Sequence, residues 1–224
     1  MFNDTLNELD ALIESKHLLK HPFYLAWNEG KLSQECLKEY AKEYYHHVKA
    51  FPTYVSALHS HTEDSETRKA LLKNLIEEEG GSPNHPELWH QFAQELGAKE
   101  QEIAEHRPMP EMVSMIEAFK ANCNQKEIAI GLASLYAYES QIPEVSLSKI
   151  AGLKKHYGMT NPNSWEYFRV HIHADQEHAA DERKLLAKHL HDSGEVFAAA
   201  DRILNSLNAF LSGLCHRYSI ACSC

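Results

Sequence analysis

The chain has 224 residues, which is enough for one helical domain with a sizeable core. Hydrophobic residues make up 43% of the chain and charged residues 24%, as in an ordinary globular protein, so a disordered or fibrous chain is disfavoured. The formal net charge of −10 and the lack of any run of Lys or Arg disfavour nucleic acid as a partner.

The sequence carries no recognisable signal for export or membrane insertion. Its best candidate for a membrane span, residues 196–214, is interrupted by Asp201 and Arg202 and suits an amphipathic helix instead. The first residues carry acidic side chains and no basic region before an apolar run, unlike a signal peptide. Five scattered cysteines, an odd number, suit a reducing compartment. We therefore expect a cytoplasmic protein that has no membrane partner.

Helical periodicity runs through the whole chain, whereas the signals for strands and hairpins are nearly absent. Proline and glycine divide the pattern, and Pro143 is predicted to kink one long helix. A short segment, 23–27, links the first two of eight predicted helices. These helices cover residues 3–19, 33–59, 64–79, 86–96, 111–121, 126–154, 164–190 and 194–211. Short connections predict an all-α, compact, single-domain bundle over residues 1–211 and a C-terminal tail at 212–224.

The helix predicted over residues 164–190 places acidic and imidazole groups on an apolar face. His171, Asp175 and His178 follow each other by four and three residues, so they share one side of the helix. Phe168 and Leu185 flank them on that side. Such a row by itself is also typical of surface ion pairs, so the hypothesis of a buried site depends on the other helices.

Two other predicted helices continue an apolar stripe into a carboxylate. Glu139 extends the aliphatic stripe of the helix at 126–154, and Glu78 extends that of the helix at 64–79. His85 follows Glu78 across a Gly- and Pro-containing loop, which can fold the imidazole back over the helix end. A buried carboxylate without a partner costs several kcal/mol, so these groups need a cation, a proton or a metal ion.

Together these patterns predict a metal site. Three carboxylates and three imidazoles that project inward from facing helices suit two first-row transition-metal ions such as iron or manganese. Zinc is less favoured, because zinc sites rarely need six residues. The predicted ligands are Glu78, His85, Glu139, His171, Asp175 and His178. The sequence therefore indicates a small helical enzyme with a two-metal site of the kind that activates oxygen.

Tyrosines and one lysine accompany the predicted ligands. Tyr40 lies in the long helix at 33–59, and Tyr138 directly precedes Glu139. Core packing with a hydrated hydroxyl is the simplest interpretation of such tyrosines, but tyrosines beside an oxidising metal pair can also be oxidised. Lys149 follows the Pro143 kink and is expected to line the same cavity, although its spacing alone favours a solvated lysine.

Several motifs resemble those of a known family. Three motifs resemble the N-terminal part of proteins of the TenA/PqqC superfamily. They are His21-Pro22-Phe23-Tyr24, Trp27-x2-Gly30-x-Leu32 and Tyr40-x3-Glu43-Tyr44-Tyr45. One branch, named after the chlamydial protein associating with death domains (CADD), is similar also at His46-His47-Val48-Lys49-Ala50-Phe51-Pro52, Pro83-Asn84-His85, Tyr138-Glu139-Ser140-Gln141-Ile142-Pro143 and Ala174-Asp175. The resemblance covers residues 6–211, which is nearly the whole chain.

The resemblance implies a haem-oxygenase-like helical fold and a dimetal oxidase that makes p-aminobenzoate for folate synthesis, with O2 and an external reductant. It implies the same six metal ligands, holding two iron ions or one iron and one manganese ion. It also implies that the aromatic ring comes from the chain itself, at Tyr24, and that the amino group comes from Lys149. Tyr40 and Tyr138 match further redox-active tyrosines. The enzyme would then be consumed as its own substrate.

Three other functions stay open. A dimetal oxidase or oxygenase could act on a diffusible small molecule and would turn over many times. A metal-free enzyme like PqqC or TenA is the second, although a TenA-type thiaminase needs a cysteine shortly before Glu139 and none lies between Cys123 and Cys215. A death-domain-binding protein is the third, and its binding would survive mutation of Glu139. Related folds are usually dimeric, so we expect a homodimer by analogy.

Overall fold

The computed structural model describes residues 2–191 and 193–221. Most of these residues lie in helices. No β-strand occurs within these ranges, so the predicted all-α class is confirmed. None of the described helices is both long and apolar enough to cross a bilayer. The α-helices are α1 (Phe2–Ser15), α2 (Pro22–Asn28), α3 (Gln34–Ser60), α4 (Ser65–Glu79), α5 (His85–Glu95), α6 (Glu100–Ala104), α7 (Pro110–Cys123), α8 (Ile128–Glu139), α9 (Ile142–His156), α10 (Glu166–His189) and α11 (Ser193–Arg217).

The starts of several helices coincide with side chains that cap them. Ser33 accepts a hydrogen bond from the backbone N–H of Cys36 at the start of α3. At the start of α5, Asn84 and Glu87 each accept a hydrogen bond from the backbone N–H of the other, which is a capping box. The box fixes the first turn of α5 and with it His85, the first residue of that helix.

The prediction of eight helices is wrong, because the described residues form eleven. The helix predicted over 126–154 is two helices, α8 and α9, and Pro143 lies in the first turn of α9, where its missing N–H is not needed. The helix predicted over 3–19 ends at Ser15 and is followed by a 3-10 turn at Leu18–Lys20. The short helix α6 was not predicted.

The last helix extends further than predicted. Instead of ending at Leu211, α11 continues to Arg217, and Cys215 is buried within it. Helical structure therefore enters the predicted tail at 212–224. Cys222 and Cys224, which the sequence also places in this tail, lie outside the described residues.

The centre of the bundle is formed by α8 and α10. The second of these packs against α8 and α9, and α8 also packs against α11, while α3 packs against α4, α5 and α7. Gly131 leaves room for the Leu58 side chain where α3 approaches α8, because a Cβ atom at this position would clash with Cδ2 and Cγ of Leu58. This packing brings the last turn of α8, with Tyr138 and Glu139, into the interior.

Candidate metal centre

The six predicted ligands lie together in the interior, in two groups of three. Within each group, one ligand atom of every residue lies within 4.8 Å of those of the others. All six side chains are buried, with at most 7% of their surface exposed. Group one, from α4, α5 and α10, comprises Glu78, His85 and His171. Group two, from α8 and α10, comprises Glu139, Asp175 and His178.

Glu78 lies beside the two imidazoles of group one, whose ring centroids are 4.3 Å apart. Nδ1 of His85 approaches Oε2 of Glu78 to 3.0 Å without the alignment of a hydrogen bond, and Nε2 of His171 lies 3.9 Å from Oε1 of Glu78. Nδ1 of His171 lies 2.7 Å from the backbone oxygen of Tyr167, to which it donates its proton, so Nε2 keeps a free lone pair. Burial, and to a lesser extent the nearby His85, holds the pKa of His171 well below its usual value, which keeps the ring neutral.

His178 lies at the centre of group two. Its Nδ1 atom lies 3.1 Å from Oε1 of Glu139 and 3.5 Å from Oδ1 of Asp175. Its other nitrogen, Nε2, lies 2.9 Å from Oε2 of Glu77, which holds the ring from the outside. Nδ2 of Asn74 donates a hydrogen bond of 3.0 Å to Oε1 of Glu139. Glu77 and Asn74 thus orient two of the candidate ligands, as residues around metal sites commonly do, and neither was among the predicted site residues.

Buried carboxylates outnumber the cations available to them here. Glu182 lies one turn beyond His178 on α10, is 3% exposed, and brings the number of buried carboxylates at the centre to four. No Lys or Arg among residues 2–191 and 193–221 lies within 4.0 Å of any of them. Burial raises the pKa of Asp175 to about 8. Burial, with the nearby Glu139 carboxylate, raises the pKa of Glu182 well above its usual range.

Orphaned acceptors provide a test of whether these residues fit metal ions. One carboxylate oxygen of Glu139, one of Asp175 and both of Glu182 are buried without a hydrogen-bond partner. Leaving such groups unpaired is costly, and a metal ion supplies both the positive charge and the coordination they lack. Mixed carboxylate and imidazole donors suit iron or manganese. The residues therefore fit a pair of first-row transition-metal ions.

A second cluster of acidic and imidazole groups, near the end of α11, differs because its carboxylates have positively charged partners. It contains Glu39, Glu43 and His106. Nη1 of Arg217 lies 2.6 Å from Oε1 of Glu39 and 3.4 Å from Oε1 of Glu43, and Nζ of Lys42 lies 2.7 Å from Oε2 of Glu39. Positive side chains already balance both carboxylates, so this cluster is an ion-pair network without need of a metal.

Lys149 lies in an aromatic pocket next to the candidate metal centre, and its interpretation as a solvated lysine is wrong. Only 4% of its surface is exposed. Nζ donates a hydrogen bond of 2.6 Å to Oη of Tyr40 and lies 5.5 Å from the centroid of the Tyr24 ring. It also lies 4.9 Å from the centroid of the Phe168 ring. Burial lowers the pKa of Lys149 to about 7, so a large fraction of the chains carry a neutral, nucleophilic amine at neutral pH.

A row of buried tyrosines connects this pocket to the candidate ligands. Oη of Tyr24 lies 3.5 Å from Oη of Tyr40, whose ring stacks on that of Tyr44 at 5.5 Å between centroids. Oη of Tyr44 lies 2.8 Å from Oη of Tyr138, the residue before Glu139. The structure thus brings Tyr24, Tyr40 and Tyr138 together, and Tyr44, which the sequence interpretation did not select, links them.

The all-helical bundle and its six inward carboxylate and imidazole groups are typical of helical proteins that hold redox-active metal ions. The chain belongs to the iron-containing redox enzyme family, whose profile matches residues 38–208. It is 45% identical over 207 residues to the 4-aminobenzoate synthase of Chlamydia muridarum, which covers 92% of this chain and 88% of that protein.

Two solved structures share the fold. A protein of Shewanella denitrificans with a haem-oxygenase-like fold superposes with a TM-score of 0.81 and 16% identity, covering 98% of this chain and 94% of that one. A CADD-like protein of Nostoc punctiforme superposes with a TM-score of 0.79 and 18% identity, covering 98% of this chain and 99% of that one. The resemblance read from the sequence motifs and the haem-oxygenase-like fold that it implies are confirmed.

Proposed function

We propose that this chain is an oxygen-dependent oxidase that makes p-aminobenzoate (4-aminobenzoate), the aromatic part of folate. Its 45% identity to a 4-aminobenzoate synthase along most of both chains supports the proposal. The structural observation that carries it is the Lys149 amine, which lies buried against the rings of Tyr24 and Tyr40. The row of buried tyrosines connects this pocket to the two groups of candidate metal ligands.

A tyrosine side chain already has the pattern of substituents that the product needs. p-Aminobenzoate carries a carboxyl and an amino group at opposite positions of a benzene ring, and tyrosine carries Cβ and a hydroxyl group there. Making one from the other requires cleavage of the Cα–Cβ bond, oxidation of Cβ to the carboxyl carbon, and replacement of the hydroxyl by an amine. If a lysine gives the nitrogen, its Cε–Nζ bond must also break, and the hydroxyl oxygen of the ring leaves as water. Two ions, both iron or iron with manganese, would supply the oxidising power with O2 and an external reductant.

We propose Tyr24 as the ring source and Lys149 as the nitrogen source. The neutral fraction of the Lys149 amine has a free electron pair at neutral pH, and Oη of Tyr40 holds Nζ in place at 2.6 Å. The surrounding rings exclude bulk water, a competing nucleophile, from the pocket. Because Tyr24 is tethered 5.5 Å from this amine, its effective concentration is high. Tyr40 and Tyr138 are proposed as redox-active residues between the pocket and the metal centre.

Mass spectrometry of the spent chain tests the ring source. Tyr24, Tyr40 and Tyr138 lie on separate tryptic peptides, at residues 21–31, 39–42 and 127–149. After reaction with O2 and reductant, we expect the loss of the ring in the peptide 21–31 and no change in the peptide 39–42, and ring-labelled tyrosine in the protein should give ring-labelled p-aminobenzoate. Because Lys149 is the last residue of the peptide 127–149, this peptide should lose only the amine and should no longer be cleaved after residue 149. Tyr24→Phe should abolish the product while keeping the metal, whereas Tyr45→Phe, a half-buried tyrosine of α3, serves as the control.

Other outcomes would change the proposal. Several molecules of unlabelled product per chain, with every peptide intact, would indicate a dimetal oxidase that acts on a diffusible substrate. Product formation by Lys149→Arg at the wild-type level would remove Lys149 as the nitrogen source. Glu139→Ala should lose both metal and product, and any binding to a death-domain protein that survives this change would be a separate property.

We also propose a cytoplasmic homodimer, which sedimentation analysis and cell fractionation would test.

A further inference from the structure

His47 is a buried imidazole without any hydrogen-bond partner. It lies in α3, is 0% exposed, and neither Nδ1 nor Nε2 contacts a donor or an acceptor. Aromatic rings surround it, with the centroids of Tyr44, Phe119 and Tyr138 at 5.2, 5.1 and 5.1 Å. A buried polar group with no partner destabilises a fold, so an apolar residue would serve packing better here.

One side of His47 faces a small internal cavity. The space open to the centre of a water-sized molecule is about 10 Å³, so only a ligand of very few atoms can enter. The remaining walls include side chains from both groups of candidate ligands. These are Glu78 and His171 of group one and Glu139 and Asp175 of group two. A small molecule in this cavity would therefore lie beside both metal positions and against the unpartnered imidazole.

We propose that His47 is the hydrogen-bonding group for a small exogenous ligand that enters this cavity, of the class that includes azide, water and dioxygen. The proposal rests on the metal centre of the proposed function. Burial lowers the pKa of His47 to about 3, so the ring is neutral and offers one N–H donor and one acceptor. A neutral donor suits this position, because a positively charged donor such as a lysine or arginine would repel two metal cations. In this buried position its hydrogen bond is strengthened by the low local dielectric.

Azide binding to the iron-loaded protein tests this role. The titration follows the iron–azide absorption band in wild type, His47→Leu, His47→Gln and Tyr54→Phe, after the iron content of each has been measured. Tyr54 is the matched control, because its hydroxyl is also buried without a partner and its ring lies 5.8 Å from that of His47, but it does not line the cavity. We expect about a tenfold weaker azide affinity in His47→Leu, which equals ~1.4 kcal/mol, with unchanged iron content. His47→Gln, which keeps a donor, should retain much of the affinity, and Tyr54→Phe should retain all of it.

Melting of the metal-free proteins separates ligand binding from a structural role. Since His47 makes no hydrogen bond in the fold, metal-free His47→Leu should melt at or above the temperature of the wild type. Wild-type azide affinity in His47→Leu would overturn the inference and leave the metal centre intact. Loss of iron together with a lowered melting temperature would also overturn it, by assigning His47 to the fold. A wild-type chain that holds no iron would overturn the proposed function itself.

Discussion

Replacing Lys149 by methionine should change how the stability of the metal-free protein depends on pH. Burial lowers the pKa of Lys149 from 10.5 to about 7, so between these pH values the unfolded chain binds a proton that the folded chain lacks. The free energy of unfolding of the wild type therefore rises with pH through this window, and the cost of burying the amine disappears above the unfolded pKa. Lys149→Met has no such group and should not show this rise.

The size of the effect follows from the two pKa values. A decrease of about 3.5 pH units corresponds to ~5 kcal/mol of lost stability at low pH, at 1.36 kcal/mol per unit. The substitution also removes the hydrogen bond to Oη of Tyr40, and a buried hydroxyl left without this partner costs ~1–3 kcal/mol. We therefore expect Lys149→Met to be more stable than the wild type by about 2 kcal/mol at pH 7 and less stable by about 1 kcal/mol at pH 10.

Urea unfolding of both metal-free proteins, followed by circular dichroism between pH 6 and pH 10, measures this difference. Lys154→Met is the matched control, because Lys154 belongs to the same helix but is exposed, with Nζ lying over the ring of Trp165. Its difference from the wild type should not vary with pH. If the difference between Lys149→Met and the wild type is also constant, the amine stays charged in the folded protein, and the proposed neutral nucleophile is refuted.

Three further predictions concern the metal centre and the packing around it. Asn74→Ala should weaken metal binding by about 10–100-fold, because the amide orients Glu139, and equal affinity in a competition with a chelator would contradict this. Gly131→Ala should lower the free energy of unfolding by ~1–3 kcal/mol, since the new Cβ would clash with Leu58, and an unchanged urea midpoint would show that α3 and α8 can move apart. Removing the metal with a chelator should lower the melting temperature of the wild type but not of His178→Ala.

The fold was predictable to the extent that it is encoded locally. Apolar periodicity and proline or glycine breaks were sufficient for the long helices, but they could not separate α8 from α9. A proline within a continuous helix and a proline in the first turn of a new helix have the same sequence pattern, and Pro143 is of the second kind. Similarly, α6 has only five residues, too few to show a period. The extension of α11 beyond Leu211 depends on packing of residues such as Leu214 against the core.

The candidate site was predictable where helical spacing alone turns a group inward, as at His171, Asp175 and His178. Asn74 has the same signal, since it precedes Glu78 by four residues on α4 and shares its face. The burial of Lys149 had no such signal, because it results from α9 packing against α2 and α10. The position of His47 likewise depends on how α3 crosses α8, which no pattern within one helix can indicate.

The distribution of buried polar groups without hydrogen-bond partners indicates that the candidate metal centre serves function at a cost in stability. Elsewhere in the described interior, buried polar groups such as the Trp89 indole and Asn122 have hydrogen-bond partners, with Trp165 and Tyr54 as exceptions. Unpartnered atoms concentrate instead around the ends of α4 and α8 and the facing side of α10, with His47 and Glu182 among them. Replacing these groups with apolar residues would stabilise a protein that only had to fold. If metal and a small ligand fill the centre, each of these unpartnered atoms gains a contact. Metal binding should therefore stabilise the wild type, and most of this stabilisation should be lost when the centre is made apolar.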